Sequence, residues 1–333
     1  MSFGTSVFGE TSDGRTVDAI DIGSDDLTVR MLTFGAVIND VRLTALGHPL
    51  TLGSTEVAPY EGAFKSFGSL MGPVVNRIKD ARATIAGKTY EFETNNLGRH
   101  SQHSGSTGSH LQVWDVTAVS DAAVTLALDL PDGLGGFPGN RRVTATYTVE
   151  GTSLTMQVRC TTDAPTIINF ANHSYWNLDG SENYGGHTLQ VHANHYLPPD
   201  DLLMPTGQIA PVEGTSLDFR EPRTLSGDDT QFFDLNYCFS DCDQPLRELA
   251  VLTGLNGVKM TMASTAPGLQ AYDAGTMKDQ DHPTHIGTPY KPYSGFALEA
   301  QRWPGALAHS HFPTFEYGPT TPFEQTTRWT FEA

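Results

Sequence analysis

The chain has 333 residues, among them 33 glycines and 20 prolines, and carries a formal charge of -18 from 20 basic and 38 acidic side chains. That length can bury a large core, as one extended all-β unit or as two conventional domains. A field of that sign disfavours nucleic acid and anionic membrane surfaces, and it suits an anionic substrate only where a local basic pocket exists.

Taken in order, the segments alternate with period two. Ala83 and Ile85, then Tyr90 and Phe92, flank Ala86-Gly87-Lys88, which predicts a hairpin. Val124, Leu126, Leu128 and Leu130 share one parity while Thr125 and Asp129 take the other. Val143, Ala145, Tyr147 and Val149 repeat the pattern, followed by Leu154, Met156, Val158 and Cys160. Glu150-Gly151-Thr152 separates these two runs and predicts a second hairpin. Leu189, Val191 and Ala193 predict a further strand, as do Val258, Met260 and Met262. Helical periodicity is scarce. Its best candidate is Gln244 to Leu252, where Leu246, Leu249 and Leu252 recur at three-residue spacing. With glycine and proline spread as turn signals, the pattern predicts an all-β protein built as a large antiparallel sandwich, a single domain over 1–333.

Three cysteines, Cys160, Cys238 and Cys242, are too few, and odd in number, for a disulfide framework, and point to a reducing compartment. The first residues show no basic segment followed by an apolar run, and no apolar stretch is long enough to span a bilayer. The expected location is cytoplasmic. Cys238 and Cys242 stand four apart beside two aspartates, but no second Cys or His pair completes a zinc site nearby.

Two segments carry the strongest chemistry. Asn172-His173-Ser174-Tyr175-Trp176-Asn177-Leu178 sets an imidazole among polar and aromatic groups. His173 reads either as a structural histidine or as a proton donor; Tyr175 and Trp176 as packing residues or as a face for sugar C–H groups. Asn172 and Asn177 suit backbone satisfaction at a turn. In Gly295-Phe296-Ala297-Leu298-Glu299-Ala300-Gln301 one carboxylate follows an apolar run, an unusual place for a freely solvated group. Glu299 reads either as a strand-end surface glutamate or, in a partly closed pocket, as a base whose charge burial disfavours and hydrogen-bond donors favour, with Gln301 on the same parity to fix its partner or the ligand. Arg77, after Asn76, has the donor fork to grip sugar hydroxyls or a structural carboxylate, and Asp234 has the matching acceptor. His100 and His103 lie three apart in a polar loop without a clear third metal ligand; His110, His309 and His311 read as surface or packing histidines.

The order of these segments resembles the aldose 1-epimerase family, the sugar mutarotases, from roughly Val7 to Phe331. NHSYWNL is similar to the family's Asn-His-Thr/Ser-Tyr-Phe-Asn-Leu, and SGFALEAQ to its Ser-Gly-Phe-x-Leu-Glu-x-Gln. The resemblance implies a galactose mutarotase-like supersandwich, with His173 as general acid and Glu299 as general base. It implies substrate-binding roles for Arg77 through Asn76-Arg77-Ile78, for His103 through the family's Leu-His-Gly-Gly segment, and for Asp234 before x-Asn-Tyr. Three departures stand out: Ser104 where the first of two glycines is usual, Ser109 in place of an aromatic, and Pro73 in place of an arginine. They bear on sugar preference more than on the reaction.

The expected partner is therefore a monosaccharide, opened at the anomeric carbon and reclosed on its other face. Glu299 would take the O1 proton while His173 protonates the ring oxygen. No hydride moves and no difficult leaving group departs, so neither cofactor nor metal is expected. Three other readings compete. A phosphorylated-hexose epimerase needs a cationic pocket, a glycoside hydrolase needs a carboxylate pair flanking the bond, and a non-catalytic sugar-binding protein would keep affinity without turnover.

Overall fold

The computed structural model describes residues 3–278 and 281–333. Among them no α-helix occurs, and helical turns are confined to 3-10 segments such as Ala58–Glu61 and Ser109–Leu111. The chain is all-β, as the alternation predicts. Its largest sheet has nine strands, in the order Asp115–Ser120, Ala123–Leu130, Arg141–Glu150, Ser153–Thr162, Phe323–Glu332, Lys259–Ser264, Arg247–Thr253, Thr188–Val191 and Arg223–Thr224. Every pairing in it is antiparallel.

The long strands keep the expected parity. Val143, Ala145, Tyr147, Val149, Leu154, Met156, Val158 and Cys160 are all buried, and the pair Glu150↔Ser153 closes their hairpin around Gly151. The predicted hairpin near residue 86 also forms, between Arg82–Ile85 and Lys88–Glu91. Its two turn residues, Ala86 and Gly87, both have positive φ (47° and 80°), the twist a two-residue hairpin turn requires. Phe323–Glu332 occupies the middle of the nine-stranded sheet, where Ser153 bonds Thr330 across a separation of 177 residues.

One expectation fails. Residues Arg247–Thr253 form a strand, not a helix, in the region where leucines recur at three-residue spacing. The register against Lys259–Ser264 shifts between Glu248 and Ala250. This bulge resets the alternation, so Leu249, Ala250 and Leu252 are all buried and the sequence mimics a helical period.

A second sheet of six strands packs on the first, in the order Tyr175–Trp176, Phe296–Gln301, Gly268–Tyr272, Asp234–Cys238, His195–Leu197 and Ala210–Pro211. Leu235, Tyr237, Leu269, Ala271, Phe296 and Leu298 meet Ala145, Val158, Met260, Trp329 and Phe331 in one buried cluster. Each large apolar side chain buried there contributes about 1.5–3 kcal/mol. The cluster extends into a four-stranded sheet (Gly4–Glu10, Thr16–Gly23, Leu27–Leu32, Val37–Leu43) through Ile20, Ile22, Val29 and Met31. Because strand side chains alternate, pointing Leu235, Leu269, Ala271 and Leu298 into this core turns Asp234, Gln270, Tyr272 and Glu299 to the opposite face. There, two-residue ladders supply walls: Leu70–Met71 with Ala171–Asn172, and Arg77–Ile78 with Ser101–Gln102.

Candidate active site

Asp234, Gln270, Tyr272 and Glu299 open onto a cavity of about 550 Å³ that Arg77, His103, His173 and Tyr175 also line. His173 sits where the chain leaves its ladder with Leu70–Met71 and joins Phe296–Gln301. Its backbone is pinned at both ends, donating to Ser69 O and accepting from Gly68 N. Asn172 reinforces the corner by donating to Gly68 O and accepting from Ser174 N, the backbone role expected of it.

His173 Nε2 lies 3.4 Å from Glu299 Oε1, with both side chains buried. Among the described residues, His173 Nδ1 and Glu299 Oε2 have no protein partner. Burial pushes the imidazole down to about 4. It pushes the carboxyl well above its ordinary value, with the nearby Asp234 charge adding to the effect and Arg77 opposing it. Both shifts favour uncharged groups. A neutral imidazole beside a protonated carboxyl holds the same one proton as an imidazolium beside a carboxylate.

Around this pair stands a polar frame. Asp234 accepts from Arg77 Nη2 at 3.1 Å through one oxygen and from Gln270 Nε2 at 2.6 Å through the other. Gln270 is paired across the sheet with Glu299 on one side and Asn236 on the other. Asn76, at φ 64°, uses its whole backbone on His103: its N–H donates to His103 Nδ1 at 3.3 Å and its carbonyl accepts from the His103 N–H. Acceptance at Nδ1 leaves the His103 proton on Nε2. Burial lowers the pKa of His103 well below the ordinary value, with His173, His110 and Arg77 adding to it, so this imidazole is a neutral donor.

His103, Ser104 and Gly105 all take positive φ (50°, 63° and 64°), a run of left-handed residues of the kind that gathers at functional sites. The Ser104 hydroxyl holds the loop by accepting from Val74 N and donating to Val74 O. Ser109 is likewise turned away, donating to Leu70 O. Ser104 and Ser109 thus fix loops behind the cavity wall, and Pro73 lies in the same layer, its carbonyl accepting from Asn169 N.

The remaining residues singled out in the sequence take structural places. Gln301 shares the parity of Glu299 but lies past the cavity wall, donating to Asn236 Oδ1 at 3.4 Å. His100 accepts from Asp80 N, His309 meets Pro205 O and His311 meets Gly207 O. Asn177 donates to Ser181 O and Ser294 O. Trp176 packs on Trp329 and Phe331, whereas Tyr175 tilts over His173 at 5.0 Å between ring centroids. Cys238 is buried and Cys242 exposed. Sequence reasoning missed Gln270 and Tyr272. Their signal was a polar residue and a tyrosine at alternate positions of Gly268-Leu269-Gln270-Ala271-Tyr272, between residues of apolar parity.

The aldose 1-epimerase family model matches residues 18–328. Galactose mutarotase of Sus scrofa is 33% identical over 341 residues, covering 99% of each chain. The chain belongs to the aldose 1-epimerase family. Solved structures agree: an aldose epimerase homologue from C. elegans superposes with a TM-score of 0.87 at 27% identity, covering 94% of this chain and 98% of its own. Galactose 1-epimerase from Lactobacillus acidophilus gives 0.85 at 25% identity over 99% of both chains. The two stacked sheets are therefore the aldose 1-epimerase supersandwich.

Proposed function

We propose that Glu299 and His173 are the acid–base pair with which this aldose 1-epimerase interconverts the α and β anomers of a free aldose. The observation that carries the reading is the 3.4 Å approach of His173 Nε2 to Glu299 Oε1 in a buried cavity. O1, which bears the exchangeable proton, and the acceptor ring oxygen are both bonded to C1, so two groups this close can address them together. Glu299 takes the O1 proton as His173 delivers one to the ring oxygen, and the C1–ring oxygen bond breaks to give the aldehyde. Rotation about C1–C2 presents the other face, and the reverse transfers close the ring. The pair ends with the one proton it began with.

His103 Nε2–H and Arg77 hold sugar oxygens, while Asp234, backed by Gln270, accepts from a hydroxyl. Asn76 acts by aiming His103, and Gln301 by steadying Asn236 beneath Gln270. Acid–base transfer alone accounts for ring opening.

The charge lining the cavity favours a neutral sugar over a phosphorylated one. Among the described residues its cations are Lys65 and Arg77, and Arg77 is already matched by Asp234; Glu61 and Glu93 face the same space. A dianion would meet that excess of carboxylates. A purely sugar-binding role would not call for Glu299, whose burial opposes its charge. We place the protein in the cytoplasm, in keeping with its exposed free thiol at Cys242, and read residues 1–333 as one domain.

Polarimetry of freshly dissolved α-anomers of galactose, glucose, xylose and arabinose tests the reading. The wild type is expected to speed the approach to the same final rotation, and Glu299→Gln to lose that acceleration by about 10²–10⁴-fold. A folded, sugar-binding Glu299→Gln protein with normal turnover would overturn the assignment.

A further inference from the structure

A third imidazole faces the cavity without a part in the scheme above. His110 is 3% exposed, as recessed as His173 (5%) and Glu299 (2%), and it lines the same space. It stands edge-on to His103, with ring centroids 6.4 Å apart and planes at 71°. The edge bearing Nδ1 packs on Gly108, where a Cβ would come within 2.6 Å of Nδ1 and within 2.5 Å of His103 O, so only glycine admits this ring position. Nδ1 has no hydrogen-bond partner among the described residues.

Burial pushes the His110 imidazole down to about 3, so it carries one proton on one of its two nitrogens. A buried N–H without an acceptor is a rarer and costlier arrangement than an unmatched lone pair. The proton accordingly belongs on Nε2, as it does on His103. Two neutral N–H donors then sit side by side on one wall, while Asp234 and Glu299 supply acceptors from the sheet. An aldose, whose every hydroxyl both donates and accepts, can bond to both walls at once.

We propose that His110 donates through Nε2 to one hydroxyl oxygen of the bound aldose and thereby selects among sugars that differ at that carbon. The inference rests on the aldose reading above and assigns His110 a binding role that the proton transfers do not require. Leu111, which follows it, also lines the cavity and brings no competing acceptor.

The test uses the wild type, His110→Phe, which keeps a flat ring without the donor, and His110→Gln, which keeps a donor. KM and kcat are measured by polarimetry for the best aldose and its singly deoxygenated analogues, and affinities by calorimetry. His110→Phe is expected to raise KM for the parent sugar about tenfold, the worth of one buried hydrogen bond, with kcat within about threefold. One deoxy analogue should be as poor with the wild type as the parent sugar is with His110→Phe, and should lose nothing further on substitution. His110→Gln should recover most of the lost affinity. An equal loss for every analogue, or none for any, would overturn the inference. The two readings separate cleanly: a wild type that binds aldoses with this His110-dependent pattern yet turns none over sinks the mutarotase reading and leaves this one standing. A wild type that neither binds nor turns over any aldose overturns both.

Discussion

The two faces of the strand Phe296–Gln301 are equally buried and chemically opposite. Phe296, Leu298 and Ala300 enter the core shared with the nine-stranded sheet, whereas Glu299 faces the cavity from the other side. In the nine-stranded sheet the comparison is different: Val158 is buried while its neighbour Gln157 is exposed. One sheet has water on its outer face and needs only apolar packing within. The other has protein on both faces, so any polar group on it must find a partner or serve a ligand.

A single strand carries both kinds of face. Glu299→Gln should cut kcat by about 10²–10⁴-fold without lowering the unfolding free energy, because it removes no packing and replaces a carboxyl whose charge burial opposes. Leu298→Ala, one residue away, should instead destabilise the fold by about 3 kcal/mol and leave kcat of the folded fraction nearly intact. Denaturant titration and polarimetry on the two proteins decide it; matching losses in both would mean the faces are not separable.

Next in size is the Arg77–Asp234 pair, whose side chains are only about one-tenth exposed. Asp234→Asn strands a guanidinium and should cost about 3 kcal/mol of stability as well as raising KM. Replacing both residues, with Arg77→Met and Asp234→Leu, should restore most of the stability and none of the sugar affinity. Recovery of affinity in the double variant would show that the pair is structural only.

The buried histidines sharpen the comparison through pH. His173 and His110 are held down to about 4 and 3, against an ordinary value near 6.5. Below pH 6.5 the unfolded chain takes up these protons first, so stability is intact above that pH and declines as the pH falls toward 4. Each group contributes up to about 1.4 kcal/mol per pH unit. Glu299 acts with the opposite sign, since its raised folded pKa favours the folded state at low pH and loses that effect as pH rises. Melting temperature between pH 7.5 and 5 should therefore fall, and less steeply in His110→Gln; parallel slopes would count against a neutral buried His110. The smallest effect belongs to the outer face of the large sheet, where Gln157→Ala should stay within about 0.5 kcal/mol.

The same contrast explains what the sequence made legible. The hairpin from Arg141 to Thr162 could be read directly, because water on one face imposes a strict alternation on both strands. The leucines near Leu249 misled for the same reason in reverse: a bulge broke the alternation, and a three-residue spacing remained. Glu299 announced itself as a carboxylate after Phe296-Ala297-Leu298, and His173 by its aromatic company. Their 3.4 Å approach was not legible, since it depends on two-residue ladders such as Leu70–Met71 that leave no period to detect. Gln270 was overlooked because its meaning lies in its cross-strand neighbour and not in its own segment.

The central place of Phe323–Glu332 in the nine-stranded sheet bears on how the molecule comes into being. On a growing chain, Ser153–Thr162 and Lys259–Ser264 emerge long before the strand that joins them. Until residue 332 has left the ribosome, each half of the sheet presents an open edge where its neighbour will dock, and neither can close the core over Trp329 and Phe331. Contacts spanning this much sequence make folding slow and leave those edges available to other chains. The strand that completes the nine-stranded sheet is thus also the one whose late arrival leaves a nascent chain open to pairing with another copy of itself.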